Sequence, residues 1–78
     1  MAGKQLPMLS GPNICKILAK DGFYHAGNSG SHIKLKDNSK PVRIVIVPNH
    51  SEVARSVLAS ILKQARLSRA DFFELMKK

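Results

Sequence analysis

The segment that most constrains the fold is residues 31–36 (SHIKLK), in which polar and apolar side chains alternate without a break. Successive side chains of a β-strand point to opposite faces, so this segment predicts a strand with Ile33 and Leu35 on one face. A strand of this kind belongs to a sheet with one face packed against the core and the other open to solvent. The open face of the strand carries His32, Lys34 and Lys36.

Two elements are predicted before this strand. Ser10 is a candidate helix cap and Pro12 falls in the first turn, so a helix begins here. The helix ends at Gly22, a residue that tolerates the left-handed conformation common after helices. Residues 23–26 are predicted to be extended, and residues 27–30 (GNSG) to form the turn into the alternating strand.

Three elements are predicted after it. Residues 42–47 (VRIVIV) are the most β-prone run and predict a third strand. A long helix follows, capped by Asn49 or Ser51, and Ser68 with Asp71 caps a short last helix. The predicted fold class is α+β, in the order α-β-β-β-α with a short extra helix at the end. Its three-stranded antiparallel sheet has helices on one face, an arrangement that resembles the double-stranded-RNA-binding fold.

The charge of the chain indicates its class of partner. The 78 residues include 13 Lys and Arg but 5 Asp and Glu, and the formal net charge is +8. So basic a domain is expected to bind a polyanion, with nucleic acid as the first candidate and an acidic protein as the second. An anionic membrane surface ranks third, because no helix is a convincing basic amphipathic anchor. No apolar run approaches the roughly 20 residues of a membrane span, so a membrane is not an expected partner.

The length predicts a single domain over residues 1–78, with residues 1–9 as a flexible N-terminal arm. The single cysteine, Cys15, excludes an internal disulfide and fits a reducing cytoplasm. Cys15 is expected to pack beside the apolar stripe of the first helix rather than to act as a nucleophile. The histidines lack the spacing of metal ligands, so neither a metal nor a cofactor is expected.

His32 is the candidate catalytic residue, because an imidazole beside lysines suits chemistry on a phosphodiester. Cleavage of RNA needs a base that takes the 2′-hydroxyl proton and an acid that protonates the leaving 5′-oxygen. Imidazole serves in either role. The residues expected to bind phosphate, through charge, backbone amides or a hydroxyl, are Gly30, Ser31, Lys34, Lys36 and Arg43.

The second proton-transfer group stays open at this point. His25 and His50 are weaker candidates, and each is expected to be a surface residue, one on the first strand and one just before the long helix. Phe23 or Tyr24 is a candidate for stacking on a base, although at least one of the two is expected to pack in the core.

The sequence contains several short motifs in a defined order and spacing. They are Leu9-Ser10-Gly11 to Leu18, Asp21-Gly22-Phe23, Gly30-Ser31-His32, Val47-Pro48, Ile61-Leu62-Lys63-Gln64-Ala65, Leu67-Ser68 and Asp71-Phe72. In this arrangement the chain resembles the HicA-type mRNA interferase toxins over almost its whole length. One departure is Arg66, which stands where that family often has glycine, so the long helix must end without the conformational freedom of glycine.

The resemblance implies a toxin of a type II toxin–antitoxin system that cleaves mRNA without a metal ion. In that family the histidine of the Gly-Ser-His triplet is catalytic, and here it is His32. The usual partner is a HicB-type antitoxin, which would cover the basic face. Two other functions fit the residues: a non-catalytic RNA-binding module, and a scaffold that binds an acidic protein alone.

Overall fold

A computed structural model gives the fold and describes residues 5–78. The order α-β-β-β-α-α confirms the predicted α+β class. The three strands form one antiparallel sheet in the order β1-β2-β3, so β2 lies in the middle. The elements are α1 (Gly11–Ala19), β1 (Tyr24–Ser29), β2 (His32–Lys36), β3 (Ile44–Pro48), α2 (Arg55–Gln64) and α3 (Arg69–Lys77).

The sheet has one covered face, as the alternation in residues 31–36 predicts. Leu35 of β2 and Val45 and Val47 of β3 are buried. Both α1 and α2 contact β3. The fully buried side chains that complete this core come from all three helices and include Ile14, Leu18, Leu58, Ile61 and Phe72.

The start of α1 follows the sequence signals, and the β1–β2 turn does not. The Ser10 hydroxyl accepts a hydrogen bond from the Asn13 amide at 3.1 Å, as expected of a helix cap.

The first strand continues to Ser29, which pairs with His32. The predicted four-residue turn is therefore wrong. The chain reverses at Gly30 and Ser31, and Gly30 has a φ of 59°, which a glycine adopts without steric cost.

The start of α2 differs most from its prediction. The helix begins at Arg55 with Ala54 as its N-cap, and no side chain caps it. The cap predicted at Asn49 or Ser51 is wrong because the chain bends at residues 51–52 and Val53 forms a β-bridge with Leu9 before the helix begins. The Val53 amide donates to the Leu9 carbonyl at 2.7 Å, and Val53 is buried in the core. Because the helix begins only at Arg55, Val53 can pack in the core and form a backbone bridge with Leu9.

The same bridge corrects the expectation of a flexible arm over residues 1–9, as far as residues 5–9 are concerned. Leu6 is 2% exposed and belongs to the core cluster. Its carbonyl accepts a hydrogen bond from Nε of Arg55 at 2.6 Å. Residues 1–4 lie outside the described residues.

The last helix begins as predicted. The Asp71 amide donates to the Ser68 hydroxyl and the Ser68 amide donates to the Asp71 carboxylate, both at 3.0 Å. This reciprocal pair is a capping box. Along residues 5–78 no helix has the length and the apolar character that crossing a membrane requires.

Candidate active site

The uncovered face of the sheet carries the predicted catalytic residue. His32 is the first residue of β2 and is exposed, between Ser29 of β1 and Pro48 of β3. Directly opposed residues of antiparallel strands point to the same face. His32, Lys34 and Lys36 of β2 therefore share one face with their partners on β1 and β3. We call this face the open face, and its side chains are Tyr24, Ser29, His32, Lys34, Lys36, Ile44, Ile46 and Pro48.

The open face brings His32 together with two of the predicted phosphate ligands. Lys34 is exposed and Lys36 is half-buried, and both follow His32 on the same side of β2. Alternate residues of a strand are about 7 Å apart, so the three cationic or titratable groups form a line along the middle of the sheet. The three strands contain no Asp or Glu, and the line is therefore a positively charged track.

Of the two aromatic residues at the start of β1, one is buried and one is exposed, as expected. Phe23 is 4% exposed and packs in the core, with the guanidinium of Arg43 over its ring at 4.5 Å. Tyr24 is 47% exposed and pairs with Lys36 across the β1–β2 ladder. The ring of Tyr24 is thus an exposed aromatic group on the open face.

The turn before His32 is held in place by the chain that follows β3. The Ser31 carbonyl accepts a hydrogen bond from the Asn49 amide at 2.6 Å. The Ser31 side chain and Gly30 are exposed at the same end of the sheet as His32. The Gly-Ser-His triplet therefore has a fixed backbone and accessible side chains, a combination that suits a site for a small anionic group.

Arg43 does not belong to this site, contrary to the expectation that it binds phosphate. Its backbone amide donates to the Asp37 carboxylate at 2.8 Å, and its guanidinium pairs with both Asp37 and Asp21. One more guanidinium nitrogen donates to the Ala65 carbonyl at 2.8 Å. With its side chain 14% exposed, Arg43 joins three parts of the chain and is not available to a phosphate.

The carboxylate partner of Arg43 is strongly stabilised in its charged form. Burial by itself raises the pKa of Asp37, but hydrogen bonds from the Arg43 amide and guanidinium and from Ser39 outweigh burial. The pKa of Asp37 is held well below its usual range. The pair is therefore ionised throughout the neutral range and acts as a structural crosslink.

A groove of about 500 Å³ adjoins His32 and holds a second histidine. Its walls include Ile46 and Pro48 of β3 and Gln64 of α2, and His32 and His50 share it with Glu52. The sequence predicts that His50 is a surface residue before the long helix, and His50 is exposed there, but its place beside His32 is new. The signal that locates it is the β2–β3 register, because pairing of His32 with Pro48 brings the residues after Pro48 beside the start of β2.

The remaining candidates fall outside the groove. The His25 ring lies 2.7 Å from the Asn28 side-chain oxygen near the exposed edge of β1, consistent with a surface role. Burial raises the pKa of the Cys15 thiol, which favours the neutral thiol and a packing role. Within residues 5–78 no group of three or more His, Cys, Asp or Glu side chains is placed to hold a metal ion.

The chain was compared with models of known protein families and with known proteins. A family model described as "HicA toxin of bacterial toxin-antitoxin" matches residues 11–67. The matched span runs from the start of α1 to the turn after α2, and it includes the open face and the groove. No curated protein matches the chain, and no solved structure does.

Proposed function

The chain belongs to the HicA toxin family of bacterial toxin–antitoxin systems, and from this premise we propose that it is an endoribonuclease that cleaves mRNA without a metal ion. His32 is its general acid or general base. The observation that carries the proposal is the position of His32, exposed on a sheet face that it shares with two lysines. The toxin acts in the cytoplasm, where its substrate is found and where the lone thiol of Cys15 stays reduced.

The proposed reaction is transfer of a phosphodiester to the neighbouring 2′-oxygen. A base takes the proton of the 2′-hydroxyl, the 2′-oxygen attacks phosphorus, and the bond from phosphorus to the 5′-oxygen breaks as an acid protonates that oxygen. His32 makes one of these proton transfers, which typically contributes about 10²- to 10⁴-fold in rate. The products are a 2′,3′-cyclic phosphate and a free 5′-hydroxyl.

The positive track provides the binding energy. Lys34 and Lys36 neutralise phosphates along the strand and stabilise the negative charge that develops on the phosphoryl oxygens. Gly30 and Ser31 offer backbone amides and a hydroxyl to the phosphate nearest His32. The exposed ring of Tyr24 is placed at the far end of the track, where it would stack on a base.

Family membership also implies an antitoxin partner. We propose that this partner is a HicB-type protein and that it covers the open face. The open face supports this because it combines cations with exposed apolar side chains: Ile44 is 42% exposed and Ile46 is 38% exposed. A protein that is acidic around an apolar centre would match both features and would block access of RNA to His32.

The first experiment is cleavage of a long single-stranded RNA in the presence of EDTA. Wild type is compared with His32→Ala and with His25→Ala, a matched substitution of an exposed histidine outside the groove. We expect wild type and His25→Ala to cleave RNA at similar rates. We expect His32→Ala to keep its melting temperature and to lose at least about 100-fold in rate.

Other outcomes contradict specific parts of the proposal. Full activity of His32→Ala would remove the proposed mechanism. Binding of RNA by the wild type without cleavage would favour a non-catalytic RNA-binding module. A protein that neither cleaves RNA nor binds it at low salt would indicate a scaffold for an acidic protein instead.

A further inference from the structure

We propose that His50 is the second proton-transfer residue, so that His32 and His50 form an acid–base pair across the groove beside the open face. This inference rests on the proposed ribonuclease function and supplies the group that it leaves unassigned. It is carried by the position of His50 on the wall of the same groove as His32.

Strand pairing places the two histidines together. His32 is directly opposite Pro48 in the β2–β3 ladder. His50 follows Pro48 by two residues and lies beyond the end of β3, on the side where the chain passes the Gly30–Ser31 turn. The end of β3 and the start of β2 are adjacent in this antiparallel pair, so both histidines lie at the same end of the sheet and line the same groove.

The backbone around His50 is fixed from two sides. The amide of Asn49 donates to the Ser31 carbonyl at 2.6 Å, and the carbonyl of His50 accepts from the Gly11 amide at 2.9 Å. Gly11 is at the start of α1 and approaches so closely that a Cβ there would overlap the Pro48 carbonyl oxygen. The segment is thus anchored to the turn before β2 and to α1, while His50 remains exposed to solvent. Such anchoring is the preorganisation that a proton-transfer residue needs.

The titratable side chains of the groove leave few choices for this role. His32 comes from β2, and His50 and Glu52 come from the segment before α2. The contribution from β3 is Ile46 and Pro48, which are apolar, and Gln64 from α2 does not titrate. The carboxamide oxygen of Gln64 is occupied by the Ile46 amide at 2.9 Å. Of the two groups besides His32, an imidazole can both accept and donate a proton near neutral pH, which is the task of this step, so His50 is favoured over Glu52.

The chemistry of the pair balances over one cleavage event. One neutral imidazole accepts the 2′-hydroxyl proton and becomes imidazolium, and the other imidazolium gives its proton to the 5′-oxygen as the bond to phosphorus breaks. The enzyme ends with the two protonation states exchanged, and transfer through water restores them. A pair that works in this way gives a bell-shaped dependence of rate on pH.

The test compares rates and pH profiles of wild type, His50→Ala, His50→Gln and Glu52→Gln, with His25→Ala as the matched control. We expect the wild-type profile to be bell-shaped. Both His50 variants should lose at least about 100-fold in rate and one limb of the profile, at an unchanged melting temperature. His25→Ala should keep the rate and both limbs.

A modified substrate separates the two roles. RNA with sulfur in place of the leaving 5′-oxygen, at a linkage that the wild type cleaves, needs no general acid because a thiolate leaves unprotonated. We expect this substrate to restore the rate of one of the two variants, His32→Ala or His50→Ala, and not of the other. Rescue of neither variant or of both would overturn the pairing.

The outcomes distinguish this inference from the function on which it rests. A wild type that fails to cleave RNA overturns both. A wild type that cleaves RNA, with a His50→Ala variant that keeps the rate and the bell-shaped profile, overturns the role of His50 alone. Loss of one limb in Glu52→Gln with no change in the His50 variants would assign the second proton transfer to Glu52.

Discussion

Arg43 joins the segment after β2, the loop after α1 and the end of α2. Its guanidinium reaches carboxylates of Asp37 and Asp21 and the carbonyl of Ala65. A planar guanidinium has five donors in a fixed fork and can serve several acceptors at once, which an ammonium group cannot do. Arg43 therefore acts as a crosslink, and its contribution to stability depends on the shape of the guanidinium as well as on its charge.

This geometry predicts the effect of Arg43→Lys. The substitution keeps the positive charge but cannot span the three acceptors, so we expect the melting temperature to fall by about 5 °C or more. If Arg43 is no phosphate ligand, the affinity for RNA should be unchanged at temperatures where the variant is folded. Thermal unfolding followed by circular dichroism, with RNA binding measured on the same samples, checks both statements. A normal melting temperature with weakened RNA binding would contradict them.

The contrast between His32 and Arg43 shows which single residues can be placed from sequence. Alternation in residues 31–36 is local, and one buried face is enough to put His32 and its lysines on the other. Arg43 follows the same kind of pattern, but its position depends on Asp21 and Asp37, which come from other elements. The nearness of His50 to His32 likewise depends on strand register, which no local pattern contains.

The starts of the helices also differ in whether a local sequence signal or a distant contact determines them. The caps of α1 and α3 are local devices within four residues, and both were predictable from Ser10 and from Ser68 with Asp71. The start of α2 is set by Val53, which pairs with Leu9 over 40 residues away in the chain and packs in the core. A tertiary contact overrides the local capping signal there.

The end of α2 carries a strained residue. Arg66 follows the C-cap Ala65 and has a φ of 54°, a conformation that is unfavourable for residues with a Cβ. Its side chain compensates in part, since a guanidinium nitrogen donates to the Pro41 carbonyl at 2.9 Å on the surface. Arg66 is the departure from the family pattern noted in the sequence, and the structure confirms that it needs the conformation glycine adopts freely.

We expect Arg66→Gly to raise the free energy of unfolding by about 0.5–1 kcal/mol, because relief of the left-handed strain exceeds the added entropy of the unfolded chain. Arg66→Ala is the matched control, as it removes the hydrogen bond and keeps the strain. It should be no more stable than the wild type. Urea unfolding of the three proteins checks this, and equal stabilisation of both variants would show that the side chain, not the backbone, is the source of strain.

For the whole molecule, the distribution of charge matters more than its sum. The 5 acidic residues lie outside the strands, and two of them pair with Arg43 while Glu74 pairs with Lys77. Asp71 serves the cap of α3 and Glu52 lines the groove. The uncovered sheet thus keeps its positive charge while the helical side of the molecule is partly neutralised. The formal charge of +8 predicted a polyanionic partner, but the location of the charge required the fold.

This asymmetry predicts how RNA binding depends on salt. In the His32→Ala background, where RNA should stay intact, Lys34→Ala with Lys36→Ala removes two proposed phosphate contacts from the open face. Each contact to a single strand contributes about 0.7 to the slope of log affinity against log salt, so the slope should fall by about 1.4 and low-salt affinity should drop. Lys63→Ala with Lys77→Ala removes the same charge from the helices and should leave the slope nearly unchanged. Equal losses in both double variants would mean that RNA is held by the net charge of the molecule, and the positive track would then not be the RNA site.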